Sequence, residues 1–145
     1  MPRVLTLIDY NELAELRYQI RRFLHFSESV ALEEGIEPRQ HQALLVIKAM
    51  KGPCSVGDLA ERLFLRHQSV VGLIDRMELR KLVRRTPGKE DKRQVVIALT
   101  RSGEVILERL SLTHQKELSE SAPALSRALQ AILRKAKSTH ENTKN

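Results

Sequence analysis

The order of helix, turn and strand signals between Ser55 and Thr100 constrains the fold of this chain most strongly. Ser55-Val-Gly-Asp58 has the form of a capping box, in which a hydroxyl residue and an acid three positions later open a helix. A second helix is indicated by an apolar stripe at helical spacing, formed by Val70, Leu73, Ile74 and Met77. Two strand-like runs follow, separated by a polar turn that contains glycine. This order predicts a helix-turn-helix followed by a β-hairpin wing.

The expected hairpin occupies residues 82–99 of the chain. We predict strands over residues 82–86 and 93–99, because both runs are rich in valine, isoleucine and leucine. Residues 87–92 (PGKEDK) form the predicted turn. Thr100 is placed to cap the next helix.

Long helices are predicted on both sides of this segment. Asp9-Tyr-Asn-Glu12 resembles a capping box for the first one, which runs to the neighbourhood of Gly35. Its apolar residues recur at steps of three and four, and we expect a second copy of the chain to cover them. Pro38 suits the start of the second helix, which Gly52-Pro53 ends. Ser121 and Pro123 are expected to divide residues 101–137 into two terminal helices.

Positive charge is concentrated in the segment that contains the predicted wing. Residues 62–101 hold eleven basic and four acidic side chains, so their net charge equals the +7 of the whole chain. Such a patch is typical of a protein that binds a polyanion, and the alternative is a surface that serves solubility. Aromatic residues make up only 3% of the chain, which favours an aliphatic, helical core.

Several classes of protein are disfavoured by the sequence. The first ten residues lack the apolar run of a signal peptide, and no stretch has the length of a membrane span, so we expect a cytoplasmic protein. The single cysteine, Cys54, excludes an internal disulfide; it is either a buried thiol or one activated by the following helix. The histidines show no metal-ligand spacing, and no catalytic motif is present. We therefore predict no metal, no cofactor and no enzymatic activity.

Three motifs occur in a fixed order along the chain. They are Asp58-Leu-Ala-Glu-Arg-Leu63, then Leu73-Ile-Asp75-Arg76-Met77, then an Asp-x-Arg pair with five residues before Leu-Thr, spanning Asp91 to Thr100. Together they resemble the multiple-antibiotic-resistance regulator (MarR) family of winged-helix repressors, and the resemblance covers nearly the whole chain. It implies one domain over residues 1–145, with a winged helix-turn-helix at 38–100 that binds double-stranded DNA at a pseudo-palindromic operator.

The resemblance also implies a homodimer joined by residues 9–34 and 101–137. The fold class is then mainly α with a small β-hairpin wing (α+β), in which the N- and C-terminal helices mediate dimerisation. The residues that we expect in the dimer interface are apolar and lie on these helices: Leu13, Leu16, Ile20, Leu110, Leu125, Leu129, Ile132 and Leu133.

Carried onto this sequence, the resemblance places base contacts at the start of the second helix of the motif and a phosphate contact at Arg76. It places Arg93 in the minor groove, oriented by Asp91; the alternative is an ordinary exposed ion pair. Gly72 fits a close approach of the helix backbone to DNA, although it is also compatible with a neutral surface position. The expected DNA-binding residues are Arg66, His67, Gln68, Ser69, Gly72, Arg76, Arg84, Arg85, Lys89, Asp91 and Arg93.

Members of the family often bind a small effector between the dimer base and the DNA-binding part. In this chain an arginine among aromatic residues would suit an aromatic carboxylate, although Phe23 and Phe26 also fit a core position. The residues expected at this site are Tyr18, Arg22, Phe23, Phe26 and His41. The function predicted is that of a ligand-responsive, homodimeric DNA-binding repressor. The alternative is a winged-helix module whose basic face binds an acidic protein.

Overall fold

A computed structural model describes residues 3–141 of the chain, with side chains described up to Ser138. It contains five helices and one two-stranded antiparallel sheet within these residues. The elements are α1 (Leu7–Glu33), α2 (Pro38–Ala49), α3 (Val56–Leu63), α4 (His67–Leu79), β1 (Val83–Pro87), β2 (Val95–Leu99) and α5 (Arg101–Glu141). The mainly helical architecture with a β-hairpin wing is therefore confirmed.

The described residues form two compact units. The lobe is Glu28–Thr113, and the terminal unit consists of the described residues up to Ser27 together with those from His114 onward. The hydrophobic core cluster lies entirely in the lobe. Its largest fully buried apolar side chains are Ile36, Leu44, Leu59, Val70, Leu73, Ile74, Met77, Leu82, Ile97 and Leu110.

The lobe begins its helices where the sequence signals them. Ser55 Oγ accepts a hydrogen bond from Asp58 N at 3.1 Å, and the Asp58 carboxylate accepts one from Ser55 N at 2.9 Å, so the predicted capping box is present. Thr100 Oγ1 accepts from Gly103 N at 3.1 Å, which confirms Thr100 as the cap of α5. Pro38 occupies the first turn of α2.

The hairpin differs from the prediction at both strand ends. Val83 pairs with Leu99 and Pro87 with Val95, so Leu82 and Arg93 lie outside the strands. Residues 88–94 form the loop, which is closed by Gly88 N donating to Gln94 O at 2.9 Å. Arg93 therefore belongs to the loop, because Gln94 N donates to Asp91 O within the loop instead of pairing with the opposite strand.

Helix α1 starts two residues earlier than predicted, and its capping box is a different one. Thr6 N donates to Asp9 Oδ2 at 2.7 Å, and Thr6 Oγ1 faces Asp9 N at 3.4 Å. The predicted Asp9–Glu12 box is wrong: Glu12 instead forms an ion pair with Lys135 at 3.0 Å. The Thr6–Asp9 pair fits the reciprocal capping box, in which a hydroxyl at the N-cap faces the amide three residues later and the acid at that position bonds the N-cap amide.

The expected break at Pro123 is also wrong, because α5 continues through it to Glu141. A proline inside a helix removes one backbone hydrogen bond and costs about 3 kcal/mol. Ending the helix and starting another would leave up to four carbonyls and four amides without helical partners, and would require a second nucleation. Continuing the helix through Pro123 is therefore the less costly solution.

The terminal unit has little apolar core of its own. Ala128 is its one buried hydrophobic residue among the side chains described, and its other buried residues are Asp9, Gln19 and His114. Asp9 joins α1 to α5, since its carboxylate accepts from Lys135 Nζ at 3.2 Å and also from Arg3 at 2.6 Å. Leu110, which was expected in the dimer interface, is instead fully buried in the core of the lobe.

We predict that Asp9 makes the stability of the protein sensitive to acid. Hydrogen bonds from the Thr6 amide and hydroxyl, then from Lys135, together with the charge of Arg3, lower the pKa of Asp9 to about 2. Because this pKa is depressed in the folded state, the stabilisation is complete above about pH 4 and is lost as the pH falls towards 2. The urea midpoint of the wild type should exceed that of Asp9→Asn at pH 6, and the difference should close between pH 4 and 2.

Both proteins should be compared at one concentration, since unfolding of an oligomer depends on it. Asp91→Asn, which alters a carboxylate in the wing loop, is the control for the change of net charge. A difference in urea midpoint between the wild type and Asp9→Asn that stayed constant down to pH 2 would contradict the prediction.

A second prediction concerns Phe64, which ends α3 in the left-handed conformation at φ 52° and ψ 44°. Its side chain is 95% exposed, so no burial compensates for the strain of about 1–2 kcal/mol that this conformation costs a residue with a Cβ atom. Phe64→Gly should therefore raise the thermal unfolding midpoint by a few degrees. Leu79→Gly, at an exposed helical position, should lower it, and a lower midpoint for both variants would refute the strain argument.

Candidate nucleic-acid interface

Helix α4 buries one side in the lobe and exposes the other. Val70, Leu73, Ile74 and Met77 are all at most 1% exposed, as the apolar stripe predicted. The side chains of His67, Gln68, Ser69 and Arg76 are exposed on the remaining surface. These residues of α4, which were predicted to contact bases or phosphates, are therefore all exposed on the same helix.

The start of α4 lacks a side-chain cap. Arg66 has extended backbone angles of φ −70° and ψ 150° at the N-cap position, but its side chain makes no capping hydrogen bond. Arg66 is exposed. An uncapped helix N-terminus with an arginine next to it favours a negatively charged partner.

Gly72 lies in the middle of α4, where packing within the lobe would also allow a residue with a Cβ atom. A Cβ atom added there would have only Arg76 Nη1 nearby, at 3.7 Å, which is ordinary van der Waals contact. Packing within the described chain therefore does not explain the glycine. This geometry is compatible both with a close approach of another surface to this turn of the helix and with a neutral surface position.

Arg76 is held by a carboxylate from outside the helix-turn-helix. Its Nε donates to Glu37 Oε1 and its Nη2 donates to Glu37 Oε2, both at 3.1 Å. Both side chains remain about half exposed, at 51% for Arg76 and 47% for Glu37. The pair fixes one edge of the guanidinium and leaves the other edge accessible.

Arg85 joins the wing to α4. Its guanidinium donates to Asp75 Oδ1 at 2.7 Å and to Glu78 Oε1, and its backbone amide donates to Glu78 Oε2 at 3.3 Å. The Arg85 side chain is only 28% exposed. Two carboxylates on successive turns of one helix therefore set the position of β1 relative to that helix.

The tip of the wing presents a nearly fully exposed arginine. The Arg93 side chain is 93% exposed, and its Nε lies 3.3 Å from Asp91 Oδ1. The same Asp91 oxygen accepts from the Arg93 backbone amide at 3.0 Å. This geometry is compatible with an acid that orients Arg93 and with an ordinary exposed ion pair. Arg84 and Lys89, also on the wing, are exposed and make no ion pair among the described residues.

Cys54 is a buried structural thiol rather than an activated one. The residue is 2% exposed, and its carbonyl accepts a hydrogen bond from Ile97 N at 2.8 Å beside the hairpin. Burial, and then the charge of Asp58, raise the pKa of the Cys54 thiol to about 11. At neutral pH the thiol is therefore protonated, which disfavours redox chemistry.

The residues predicted for the effector site lie in different units. Tyr18, Arg22, Phe23 and Phe26 belong to α1 in the terminal unit, whereas His41 is a buried residue of α2 in the lobe. Within the terminal unit, the His114 ring makes edge contacts with Phe23 and Phe26, with centroid distances of 6.0 and 5.5 Å. His114 Nε2 also lies 2.8 Å from Ser27 Oγ.

Sequence reasoning missed three residues with contacts described above, two in the lobe and one in the terminal unit. Glu78 was detectable, because it lies three positions after Asp75 and so shares its face of α4. Glu37 carried no local signal, since it is 39 positions away from Arg76. His114 was likewise hidden, because its partner Ser27 is 87 positions away.

The described part of the chain has neither a metal-binding cluster nor a helix suited to a membrane. No group of three His, Cys, Asp or Glu side chains there is arranged to hold a metal ion. None of the helices described combines the length and the apolar character needed to cross a membrane.

Comparison with known proteins identifies relatives of this segment. Residues 34–94, which include the helix-turn-helix and most of the wing, match the model of the MarR family. The transcriptional activatory protein BadR of Rhodopseudomonas palustris is 34% identical over 104 residues, covering 70% of this chain and 59% of BadR. The transcriptional repressor MdtR of Bacillus subtilis is 30% identical over 80 residues, covering 54% of this chain and 50% of MdtR. The chain thus spans less than two thirds of either relative.

Solved structures share the fold along most of the chain. AbsC, a MarR family transcriptional regulator from Streptomyces coelicolor, superposes with a TM-score of 0.74 over 99% of both chains at 20% identity. A variant of MepR from S. aureus bound to an oligodeoxyribonucleotide has a TM-score of 0.64 over 98% of this chain and 100% of its own, at 19% identity. BpsR of Bordetella bronchiseptica, whose DNA binding is regulated by 6-hydroxynicotinic acid, has a TM-score of 0.62 over 84% of this chain and 89% of its own, at 24% identity.

The matched segment, the curated relatives and the shared fold agree with one another and with the three sequence motifs. Residues 34–94 are thus a MarR-type winged-helix segment, and the chain shares its fold with MarR family regulators along most of its length.

Proposed function

We propose that this protein is a homodimeric, ligand-responsive transcriptional repressor that binds double-stranded DNA at a pseudo-palindromic site. The observation that carries the proposal is the exposed side of α4, which presents polar and basic residues on the same lobe as the exposed wing arginine. This lobe also holds the segment that contains the entire net positive charge of the chain. Such a combination is the electrostatic and geometric basis of duplex recognition.

Different residues of this surface would supply sequence specificity and affinity. Gln68, Ser69 and His67 have side chains that can donate to or accept from base edges in the major groove. Arg66, Arg76, Arg84 and Lys89 would contact phosphates, which supplies affinity without reading the sequence. Arg93 would enter the minor groove, where its charge is attracted by a narrow, electronegative surface.

Arg85 contributes in a different way. Its guanidinium is engaged by Asp75 and Glu78, so its donors are largely used within the lobe. We assign it the role of holding the wing at a fixed position relative to α4. The major-groove and minor-groove contacts would then be made by one rigid unit.

Homodimer formation is supported by the apolar side chains that the terminal unit leaves exposed. Leu13, Ile20, Leu129 and Leu133 are each between 42% and 51% exposed, although the unit has little buried core. Exposed apolar surface of this kind is stabilised by a second copy of the same surface. With Leu16, Leu125 and Ile132, these residues would form the interface, and two α4 helices would meet successive major grooves about 34 Å apart.

The effector is proposed to be an aromatic carboxylate that binds near Tyr18, Arg22, Phe23 and Phe26. An arginine can pair with a carboxylate, while aromatic rings pack against an aromatic ligand. The regulation of BpsR by 6-hydroxynicotinic acid gives a precedent for such a ligand on this fold. Contact between His114 and the two phenylalanines would supply one wall of the site.

Repression is proposed instead of activation because a repressor needs fewer interaction surfaces than an activator. A repressor needs only to occupy its site, whereas an activator also needs a surface that contacts the transcription machinery. The relatives include both kinds, since BadR is an activatory protein and MdtR is a repressor. A transcription assay on a template that carries the bound sequence would distinguish the two.

Selection of bound sequences from a random duplex pool tests the proposal directly. We expect a pseudo-palindromic consensus, and an affinity for it that falls steeply and linearly with the logarithm of salt concentration. Enrichment of no sequence, together with tight binding to an acidic protein surface, would favour the winged-helix interaction module instead. Hydrodynamic measurement should give a particle of twice the 16.6 kDa chain mass.

Truncation of Arg93 to alanine should weaken binding to the selected duplex by about 1–3 kcal/mol without lowering the thermal midpoint. Binding weakens because the minor-groove contact of Arg93 is lost. The thermal midpoint is unchanged because the exposed side chain supports nothing else in the lobe. Lys92→Ala removes the same charge from the neighbouring exposed position and serves as the control. If both variants lost affinity equally, Arg93 would act as a general positive charge and not as a minor-groove contact.

Gly72→Ala should raise the thermal stability of the protein and lower its affinity for DNA. The added methyl meets only Arg76 Nη1 at 3.7 Å, and alanine favours a helix over glycine by roughly 1 kcal/mol, so the thermal midpoint should rise. Affinity for the selected duplex should fall, because the methyl would occupy space between the helix backbone and the groove. Unchanged affinity with raised stability would show that Gly72 is a neutral surface position.

A further inference from the structure

The ion pair between Arg76 and Glu37 connects the exposed side of α4 to the corner between α1 and α2. Arg76 uses its Nε and Nη2 atoms, each at 3.1 Å from a different carboxylate oxygen of Glu37. This geometry is bidentate, so it fixes both the distance and the plane of the guanidinium. A single surface contact would leave the arginine free to rotate about its long side chain.

The other edge of the guanidinium points over the predicted DNA-binding side of α4. Arg76 Nη1, which takes no part in the pair, lies 3.7 Å from the position that a Gly72 Cβ atom would occupy. The side chain therefore runs back along the helix by one turn, across the glycine. An arginine has five N–H donors, of which the pair with Glu37 uses two.

We propose that Glu37 is a positioning residue for DNA binding, which holds Arg76 so that its Nη1 edge meets a phosphate of the duplex. This inference rests on the proposed function, because it assigns a role within the same interface. It adds to that interface an acidic residue outside the helix-turn-helix and the wing. Glu37 itself need not touch DNA.

The physical basis of this role is pre-organisation. An exposed arginine loses rotamer freedom when it binds a phosphate, and this loss weakens binding. A bidentate partner removes most of that freedom before DNA arrives, so less is lost on binding. The negative charge of Glu37 also repels the nearby phosphate, but this repulsion is screened because both side chains are about half exposed to water.

The backbone around Glu37 is itself fixed, which a positioning role requires. Gln40 Oε1 accepts a hydrogen bond from Glu37 N at 3.0 Å, and the Gln40 residue is fully buried. Pro38 restricts the residue before it, Glu37, to the extended conformation that it has, with φ −70° and ψ 145°. Gly35 permits the turn before it, with φ at 75°. The carboxylate therefore extends from a rigid corner towards α4.

A double-mutant cycle with Glu37→Gln and Arg76→Ala tests the inference. Affinity is measured on the duplex selected above, and the thermal midpoint of every variant is measured in parallel to confirm folding. We expect Glu37→Gln to weaken binding by about 1.5-fold to fivefold relative to its effect in the Arg76→Ala background, which is the range for an exposed pair. The variant leaves the Gln40-to-Glu37 backbone bond intact, so a change in folding is not expected.

Glu104→Gln provides a matched control. Glu104 forms an exposed ion pair with Lys48 at 3.0 Å between α5 and α2, neither of which carries a predicted DNA contact. This variant makes the same change of net charge and also breaks one exposed pair within the lobe. It should show no coupling to Arg76→Ala, so any coupling seen for Glu37 is specific to that pair.

Tighter binding by Glu37→Gln in the presence of Arg76 would overturn the inference, because Glu37 would then compete with DNA for the arginine. Equal effects of Glu37→Gln in both backgrounds would overturn it as well. Either result would leave the proposed function standing, provided that the wild type binds the selected duplex. Failure of the wild type to bind any duplex would reject both.

Discussion

Burial of one stripe of α4 decides which of its side chains are available to a partner. Val70, Leu73, Ile74 and Met77 are almost completely buried, and each such side chain contributes about 1.5–3 kcal/mol when removed from water. Rotating the helix enough to hide Gln68 or Ser69 would expose several of these residues at once. No single surface contact would offset that cost. The side of α4 proposed to bind DNA is therefore exposed as a consequence of how the core is filled.

Signals between near neighbours in sequence predicted the lobe well. The Ser55 capping box, the apolar stripe of α4 and the Thr100 cap each involve residues within about two helical turns, so their spacing alone fixes their role. The strand ends were less predictable, because Arg93 enters the loop through backbone bonds that depend on the exact closure at Gly88. The contact between Arg93 and Asp91 is local, because the two residues are two positions apart.

Features that depend on long-range contacts or on competition between structures were not predictable. Pro123 reads as a helix boundary in sequence, yet the helix continues, since one lost hydrogen bond costs less than a second set of helix ends. Leu110 has the same periodicity as interface residues, and only the tertiary fold shows that it fills the lobe core. The Glu37–Arg76 pair joins residues far apart in sequence, so no local pattern could indicate it.

Most of the acids in the basic segment contact an arginine of the same segment. Four acidic residues lie within residues 62–101, and three of them contact an arginine: Asp75 and Glu78 hold Arg85, and Asp91 holds Arg93. Glu37, from outside the segment, does the same for Arg76. Each carboxylate lowers the local positive charge by one unit, which by itself weakens attraction to a polyanion. Its compensating effect is to hold a long, flexible cation in one place, and that order is what a specific site requires beyond charge alone.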